Sequence, residues 1–216
     1  MPDFRTESQK VADELREAIL SGEIAPGTRL PQRTVASKFG TTAIVAREAL
    51  RVASSEGLVL IEPRFGAMVE EVTPDKLQER YTVREALEGM AARLAARNIS
   101  ESGKLELQTL ARRCDDDLPS DRLTRHQKAE LHLELHNHIS GIADCGELAR
   151  LLDGLYLHSI IVSNAYHIDW FAETAGWHTL LVGPILDGDE DTSEQIMRNH
   201  VRRGLEMELT AVNGQG

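Results

Sequence analysis

Apolar residues recur every three or four positions near the start of the chain, as in an amphipathic helix whose apolar face holds Val11, Leu15 and Ile19. Two shorter stretches with the same period follow, and then two short runs of mostly apolar residues separated by a turn. Three helices and a β-hairpin predict a winged helix-turn-helix. The predicted helices cover 6–21, 32–39 and 42–56, and the predicted strands cover Leu58–Ile61 and Ala67–Val72.

Beyond Thr73-Pro74 the helical period continues with few breaks. Proline suits the first turn of a helix and threonine the position before it, so we place a domain boundary here, between 1–73 and 74–216. Six helices with short connections predict an antiparallel bundle. The expected fold class is therefore mostly α, a winged helix-turn-helix followed by an all-helical bundle. The predicted bundle helices cover 74–98, 101–117, 121–142, 144–165, 169–186 and 190–211.

Composition narrows the setting of the protein. No apolar run approaches the roughly 20 residues of a membrane span, and the start of the chain has no signal-peptide pattern. The two isolated cysteines imply neither a disulfide framework nor a thiolate zinc site, so a reduced, cytoplasmic setting is expected.

The formal net charge of -11 argues at first against a nucleic-acid partner. The charge is unevenly distributed, however. Residues 1–73 carry 9 Lys and Arg against 11 Asp and Glu, whereas 74–216 carry 15 against 24. The first domain is thus close to neutral, and a local cluster of cations there could still bind DNA.

One short stretch of the bundle carries candidate chemistry. His132 and His136 are four residues apart, so on a helix they project from one face and could share a metal ion. Taken alone, such a pair more often simply borders a core, and an apolar stripe does run beside it. His178 and His200 lie on two later helical segments. Four imidazoles converging inside a bundle would form a metal site.

A series of short motifs runs through residues 15–69 in one order. Together they resemble the DNA-binding domain of the GntR family of bacterial transcription regulators. The motifs are Ser21-Gly22-Glu23-Ile24, Pro26-Gly27, Arg29-Leu30, Arg47-Glu48-Ala49-Leu50, Glu56-Gly57-Leu58-Val59, Gly66-Ala67 and Val69.

This resemblance implies a DNA-reading surface on the first domain. The helix beginning at Thr42 would enter the major groove, and the hairpin would form the wing. An alternative for Arg47 is an ion pair with Glu48 or Glu56 on the helix surface. The DNA contacts that carry over are Arg33, Thr42, Arg47, Phe65 and Gly66, with Arg64 as a phosphate contact beside the wing tip.

The chain departs from the family pattern at one informative position. The usual Ser-Arg-x-Pro-Val-Arg is Thr42-Ala43-Ile44-Val45-Ala46-Arg47 here, so Ala43 replaces an arginine that commonly reaches a guanine. A bidentate arginine–guanine pair contributes roughly 1–3 kcal/mol of discrimination. We therefore expect an operator that differs from the usual half-site of the family, or weaker specific binding.

The second domain resembles the FCD effector domain, the all-helical partner in the FadR-type branch of the family. The resemblance begins at Val83-Arg84-Glu85-Ala86-Leu87-Glu88. The metal pattern of that domain is Asp-x-x-x-His on one helix and a histidine on each of the last two. It carries over to His136, His178 and His200, with His132 in the place of the aspartate.

A four-histidine set implies a particular class of metal. Neutral imidazoles leave the double charge of the ion uncompensated and favour Zn²⁺, Ni²⁺ or Cu²⁺ over the harder Mn²⁺. Zinc is the expected ion, with nickel as the alternative. The uncompensated charge should also strengthen attraction for an anionic ligand.

The resemblance further implies a regulator controlled by a small molecule. A small organic acid would bind the metal, with Arg84 on a second carboxylate oxygen. The alternative is that Arg84 pairs with Glu88 on the helix surface. The family also implies a homodimer on a palindromic operator.

Three alternatives concern the metal. It could be purely structural, it could itself be the signal, or the bundle could be a hydrolase. The last is disfavoured because residues 74–216 contain no Glu-x-x-His of a di-iron site, and the chain contains no His-Glu-x-x-His. We therefore expect no enzyme activity.

Overall fold

The computed structural model describes residues 5–71, 73–165 and 176–213, and it describes 157–165 as helical backbone only. The chain divides into two compact units, Met1–Val72 and Thr73–Gly216. Among the described residues, no helix is both long and apolar enough to cross a lipid bilayer. The architecture is mostly helical, as the periodicity of the sequence predicts.

The first unit is a winged helix-turn-helix. Leu15 of the first helix, Leu50 of the third and Leu58 at the entrance to the hairpin are almost completely buried. The hairpin is antiparallel, and Val59 pairs with Val69 at its base. The elements are α1 (Glu7–Leu20), α2 (Gln32–Lys38), α3 (Ala43–Ser55), β1 (Val59–Glu62) and β2 (Gly66–Val69).

Helix α3 begins at a side-chain cap and packs through small residues. The Thr42 hydroxyl accepts a hydrogen bond of 3.3 Å from the amide of Val45, which satisfies one of the free donors at the helix start. Ala46, Ala49 and Ala53 are completely buried, so α3 lies close to the rest of the unit. Its opposite face is left exposed to solvent.

The second unit is a helical bundle built around its first helix. Small residues of that helix, among them Ala92 and Ala95, are completely buried. A Cβ atom on Gly89 would lie 2.8 Å from Cγ of Arg198, so the first and last helices approach closely there. The helices described are α4 (Pro74–Asn98), α5 (Glu101–Asp117), α6 (Arg125–Ile142), α7 (Gly146–Ala165), α8 (Trp177–Asp187) and α9 (Glu190–Asn213).

Two polar contacts position the start of α8 beside its neighbours. The Arg203 guanidinium of α9 lies over the indole ring of Trp177, 3.6 Å from the ring centroid. From α5, the Asp115 carboxylate reaches the first turn of α8. Together they fix the start of a helix whose second residue is His178.

Some predicted boundaries differ from the observed ones. Helix α6 begins at Arg125 rather than at 121, because Thr124 and Gln127 form a reciprocal capping box. Strand β2 ends at Val69 rather than at Val72. Val72 itself and residues 169–175 of the predicted helix 169–186 lie outside the described residues.

Candidate functional site

Three histidines from two helices meet at the edge of the bundle core. His132 and His136 lie one turn apart on α6, and His200 lies on α9. Leu131 and Leu135 are buried in the core beside them, which holds α6 in a fixed rotation. The spacing that predicts a shared face therefore produces a real side-chain cluster.

The Nε2 atoms of the three histidines form a nearly equilateral triangle. The distance is 3.3 Å between His136 and His132, and 3.2 Å from each of these to His200. A tetrahedral ion with metal–nitrogen bonds of about 2.0–2.1 Å holds its ligand nitrogens roughly 3.3–3.4 Å apart. The triangle therefore fits one face of a tetrahedral site, and the residues present suit a divalent metal.

The fourth predicted ligand lies next to this triangle. The ring centroid of His178 is 5.3 Å from that of His132 and 6.0 Å from that of His200. The compact set, with ligand atoms within 4.8 Å of one another, comprises His132, His136 and His200. His178 is almost completely buried, and it lies beside the compact set without being part of it.

A buried carboxylate orients His136. Its Nδ1 lies 2.5 Å from Oε2 of Glu88, whose Oε1 accepts a hydrogen bond of 2.8 Å from Nε of Arg84. Burial opposes ionisation of Glu88, but Arg84 and His136 outweigh it and lower the pKa of this carboxyl to about 2. With Nδ1 donating to a carboxylate, the lone pair of Nε2 is available for a metal.

A second carboxylate orients His178. Oδ1 of Asp115 accepts hydrogen bonds from the His178 amide at 3.0 Å and is 2.9 Å from Nδ1 of the ring. Its Oδ2 accepts from the amide and hydroxyl of Thr179. Burial acts to raise the pKa of Asp115, but these hydrogen bonds outweigh it, so the pKa is lowered. One carboxylate thus caps α8 and fixes the imidazole that α8 presents.

His132, His200 and the neighbouring His178 favour their neutral form. Burial is the main cause that lowers the pKa of His132 and of His200 well below 6.5, and the neighbouring imidazoles lower both further. Burial also lowers the pKa of His178, although Asp115 opposes it. Neutral imidazole is the form that binds metal ions, so little proton release is needed at neutral pH.

The exposed face of α3 carries one predicted DNA contact, Arg47, and a second arginine, Arg51. Arg47 and Arg51 extend into solvent, with side chains 57% and 70% exposed, and Nε of Arg47 lies 3.5 Å from Oε1 of Glu48. The surface ion pair considered for Arg47 is therefore present, but it leaves the guanidinium accessible. One turn earlier, Ile44 is 69% exposed.

The wing tip has a constrained backbone. Pro63 and Arg64 form the centre of a turn closed by a 3.2 Å hydrogen bond from the Phe65 amide to the Glu62 carbonyl. Arg64 has a φ of 74°, which non-glycine residues seldom adopt, and Gly66 follows with a φ of 87°. The Phe65 side chain is 68% exposed.

A groove of about 510 Å³ brings some of the predicted DNA contacts together. Arg33, Arg47 and Gly66 line it, while Phe65 lines a smaller neighbouring hollow with Gly66. Thr42 is occupied as the cap of α3, and Arg64 lies at the turn. The residues lining the larger groove are Leu30, Pro31, Gln32, Arg33, Arg47, Leu50, Arg51, Ile61, Gly66 and Ala67.

Comparison with known families agrees with both units. Residues 7–69 match the bacterial regulatory proteins of the gntR family, and residues 79–203, more than half of the chain, match the FCD domain. The chain belongs to the GntR family, in its FCD-containing form. The family membership predicted from the motifs is confirmed.

Curated relatives of this GntR-family chain include repressors. It is 43% identical over 79 residues to the gluconate operon transcriptional repressor of Bacillus subtilis (strain 168), covering 37% of this chain and 32% of the relative. It is 29% identical over 143 residues to the HTH-type transcriptional repressor RspR of Escherichia coli (strain K12), covering 64% and 60%. The aligned region thus spans less than two thirds of either relative.

Among solved structures, the GntR-family chain is similar to E. coli McbR/YncC. The TM-score is 0.73 at 19% identity, covering 95% of this chain and 98% of the other. At this identity the likeness establishes the fold alone. It extends through both the winged unit and the bundle.

In this GntR-family chain the candidate effector contact, Arg84, is buried. Its guanidinium lies 4.5 Å from the ring centroid of Tyr81 and 5.4 Å from that of Tyr156. The ion pair with Glu88 considered from the sequence is present, but it is buried in the bundle instead of exposed on the surface. Arg84 is thus two contacts away from the histidine cluster, through Glu88 and His136.

A further buried acid, Glu208, interacts electrostatically with Arg84. Glu208 of α9 is completely buried, and its carboxylate oxygens have no hydrogen-bond partner of good geometry within the described part of the chain. Burial raises its pKa to about 7, although Arg84 and Tyr81 lower it in part. Sequence reasoning missed Glu208, Asp115 and the orienting role of Glu88, because no motif connects them to the histidines.

Proposed function

We propose that the chain is a DNA-binding transcriptional regulator whose operator affinity is modulated by a small organic acid. The acid binds at a divalent metal held by His132, His136, His178 and His200. The observation that carries the proposal is the Nε2 triangle, with edges of 3.2–3.3 Å. Three ring nitrogens at these distances can share one cation, and without it their lone pairs repel wherever no Nε2–H lies between them.

The groups behind the imidazoles support a metal centre over a chance cluster. Metal-binding histidines commonly donate their second ring nitrogen to a carboxylate, which sets the tautomer and the ring orientation. Glu88 and Asp115 lie in this position for His136 and His178. Two histidines that merely bordered a core would not need such partners.

Zinc is the metal we propose, with nickel as the alternative. Imidazole ligands suit both ions, and the edges of the triangle are nearer to tetrahedral than to octahedral spacing. The bound ion would supply positive charge for an anionic ligand. In addition, the negatively charged Asp115 carboxylate contacts the His178 ring. It would partly compensate the double positive charge of the ion without binding the ion itself.

The effector we propose is a small carboxylic acid. The ion would attract the carboxylate. Arg84 would either bind the same ligand directly or influence the site through its ion pair with Glu88. Because Arg84 is held by Glu88 and two tyrosine rings, a direct contact requires a rearranged side chain. We expect effector and operator affinities to be coupled by about 1–3 kcal/mol, the usual range for linked sites.

The DNA partner we propose is a palindromic operator bound by a homodimer. The exposed arginines of α3 and the wing tip form the reading surface, with Arg33, Thr42, Arg47, Arg64, Phe65 and Gly66 as its contacts. The family comparison supports this role, and two-fold symmetric regulators match palindromic sites. The same comparison places the chain among regulatory proteins rather than enzymes.

Metal content tests the site. Purified protein should bind one zinc per chain, measured by elemental analysis after dialysis, and His136→Ala and His178→Ala should each lose it. His126→Ala is the matched control, because His126 also lies on α6 but outside the cluster. Stoichiometric metal in both cluster variants would show that the wrong ligands were chosen.

Operator binding tests the regulation. DNA recovered by selection from random duplexes is titrated with metal-free protein, then with zinc, and then with a panel of small carboxylic acids. An effect of acids only in the presence of zinc supports the proposal. An effect of zinc alone identifies a metal sensor. If zinc stabilises the fold but neither zinc nor any acid alters DNA affinity, the metal is structural and the effector site is refuted.

A further inference from the structure

The first turn of α3 presents a large apolar side chain directly after Ala43, the position at which the family has an arginine. Thr42 is committed to capping Val45, and Val45 packs inward against the core of the unit. Ala43 is exposed but offers only a methyl group. Ile44, 69% exposed, is therefore the one large side chain that the first turn of α3 offers to a partner.

Ile44 shares its face of α3 with the exposed arginines. Residues three, four and seven positions apart lie on the same side of a helix, so Ile44 is in line with Arg47, Glu48 and Arg51. The opposite side is buried through Ala46 and Ala49. A helix that enters the major groove with its first turn toward the bases would bring Ile44 to a base edge.

The exposed apolar residues of this unit are not scattered. Within its described residues, the large hydrophobic side chains that remain exposed are Ile44, Ile61 and Phe65. Ile61 lines the groove between α3 and the wing, and Phe65 is at the wing tip. All three lie on the proposed DNA-reading surface. Single exposed apolar residues need no explanation, but their confinement to one functional face does.

The major groove offers one apolar feature. The 5-methyl group of thymine projects into it, and aliphatic side chains recognise thymine by contact with that methyl. We propose that Ile44 is a specificity-determining residue that reads a thymine methyl in each half-site, one position after Ala43, which stands where the family has an arginine. This inference rests on the DNA-binding part of the proposed function and is independent of the metal.

The test removes single methyl groups from DNA. Duplexes are first selected from random sequence with the full chain, and each thymine of the recovered half-site is then replaced by deoxyuridine, which lacks only the methyl. We expect one replacement to weaken binding about fourfold, the effect of exposing one buried methyl group. In Ile44→Ala the same replacement should have no effect, and Ile44→Val should retain most of it.

Controls separate this inference from the broader proposal. Leu180→Ala alters a side chain with similar exposure in the other unit, and it should keep the full sensitivity to deoxyuridine. Circular dichroism checks that each variant keeps the helix content of the parent. If a half-site is recovered but no deoxyuridine weakens binding, or the penalty persists in Ile44→Ala, the inference is wrong while DNA binding stands. If no duplex is enriched, both are wrong.

Discussion

At the scale of single residues, Glu208 is a buried acid whose environment opposes its charge. It is completely buried, and its pKa is raised to about 7 from an ordinary value of 4.5. The folded protein therefore binds this proton more tightly than the unfolded chain. Between pH values of about 4.5 and 7 the contribution of Glu208 to stability falls as pH rises.

Glu208→Gln should remove this pH dependence. Above pH 7 the variant is expected to be more stable than the parent by an amount of order 3 kcal/mol, and near pH 4 the two should be equal. Denaturant unfolding at several pH values gives the difference, which isolates Glu208 from other titrating groups. A difference that is constant across pH would contradict the assignment.

Arg64 is a second residue under local strain. Its φ of 74° places a β-carbon in the left-handed region, which costs an L-residue roughly 1–2 kcal/mol. Glycine would relieve most of this cost. The position is therefore occupied by a residue that the backbone disfavours but that carries a positive charge to the wing tip.

Two substitutions separate charge from strain at this position. Arg64→Gly should stabilise the first unit by about 0.5–1 kcal/mol, whereas Arg64→Ala should not. Both should weaken DNA binding equally and reduce the salt dependence by about one phosphate contact. Thermal unfolding and anisotropy titrations at several salt concentrations measure the two effects. Unchanged DNA affinity in both variants would remove Arg64 from the contacts.

How far the sequence predicts these residues depends on sequence separation. His132 and His136 follow from a four-residue spacing, and His200 from its motif. Glu88 meets His136 across 48 positions and Asp115 meets His178 across 63, so only the packing of helices brings them together. Nothing local in Cys114-Asp115-Asp116-Asp117 distinguishes the second of these residues.

At the scale of elements, the start of α8 depends on a carboxylate from another helix. The residue before α8 is Gly176, which has no side chain, so Asp115 of α5 takes the place of a local cap. The same carboxylate holds the ring of His178. Folding of α8 and placement of a metal ligand are therefore coupled through one side chain.

Asp115→Ala should affect both the stability of α8 and the affinity for metal. Loss of the cap is expected to cost about 1 kcal/mol of stability even with chelator present, and loss of the ring contact should weaken metal binding about 10–100-fold. Asp116→Ala, at the exposed neighbouring position, is the control. Thermal unfolding in chelator and competition for zinc give the two values. A variant that loses neither would show that the contacts have no energetic role.

The element boundaries show which local sequence signals are sufficient to predict where a helix or strand begins and ends. The bounds predicted for α4 and α5 match the observed ones, because Thr73 and Ser100 cap them. The start of α6 was predicted four residues too early, although Thr124-x-x-Gln127 is a readable capping box. The end of β2 depends on where its partner strand stops, which a single strand does not reveal.

At the scale of the whole molecule, the two units differ in net charge and in the candidate site that each contains. The first is nearly neutral and holds the DNA-reading surface, whereas the second carries most of the negative charge and the histidine cluster. Each has its own core. We therefore expect a ligand of the cluster to stabilise the second unit without directly strengthening the first.

Zinc titration should show that the metal stabilises the second unit and not the first. At a free concentration 100 times its Kd, a metal that binds only the folded state adds about 2.7 kcal/mol. In calorimetry, the transition of the second unit should move to higher temperature while that of the first stays in place. In His136→Ala neither should move. A shift of the first transition alone would contradict the location of the site.

The contact between Arg203 and Trp177 has a practical consequence. Both tryptophans of the chain are in the second unit, and Trp177 directly precedes His178 while stacking on the α9 guanidinium. An ion that binds the His178 ring should therefore change the surroundings of the Trp177 indole. The chain thus contains an intrinsic fluorophore beside its candidate cofactor, so ion capture can be followed in unlabelled protein by its ultraviolet emission.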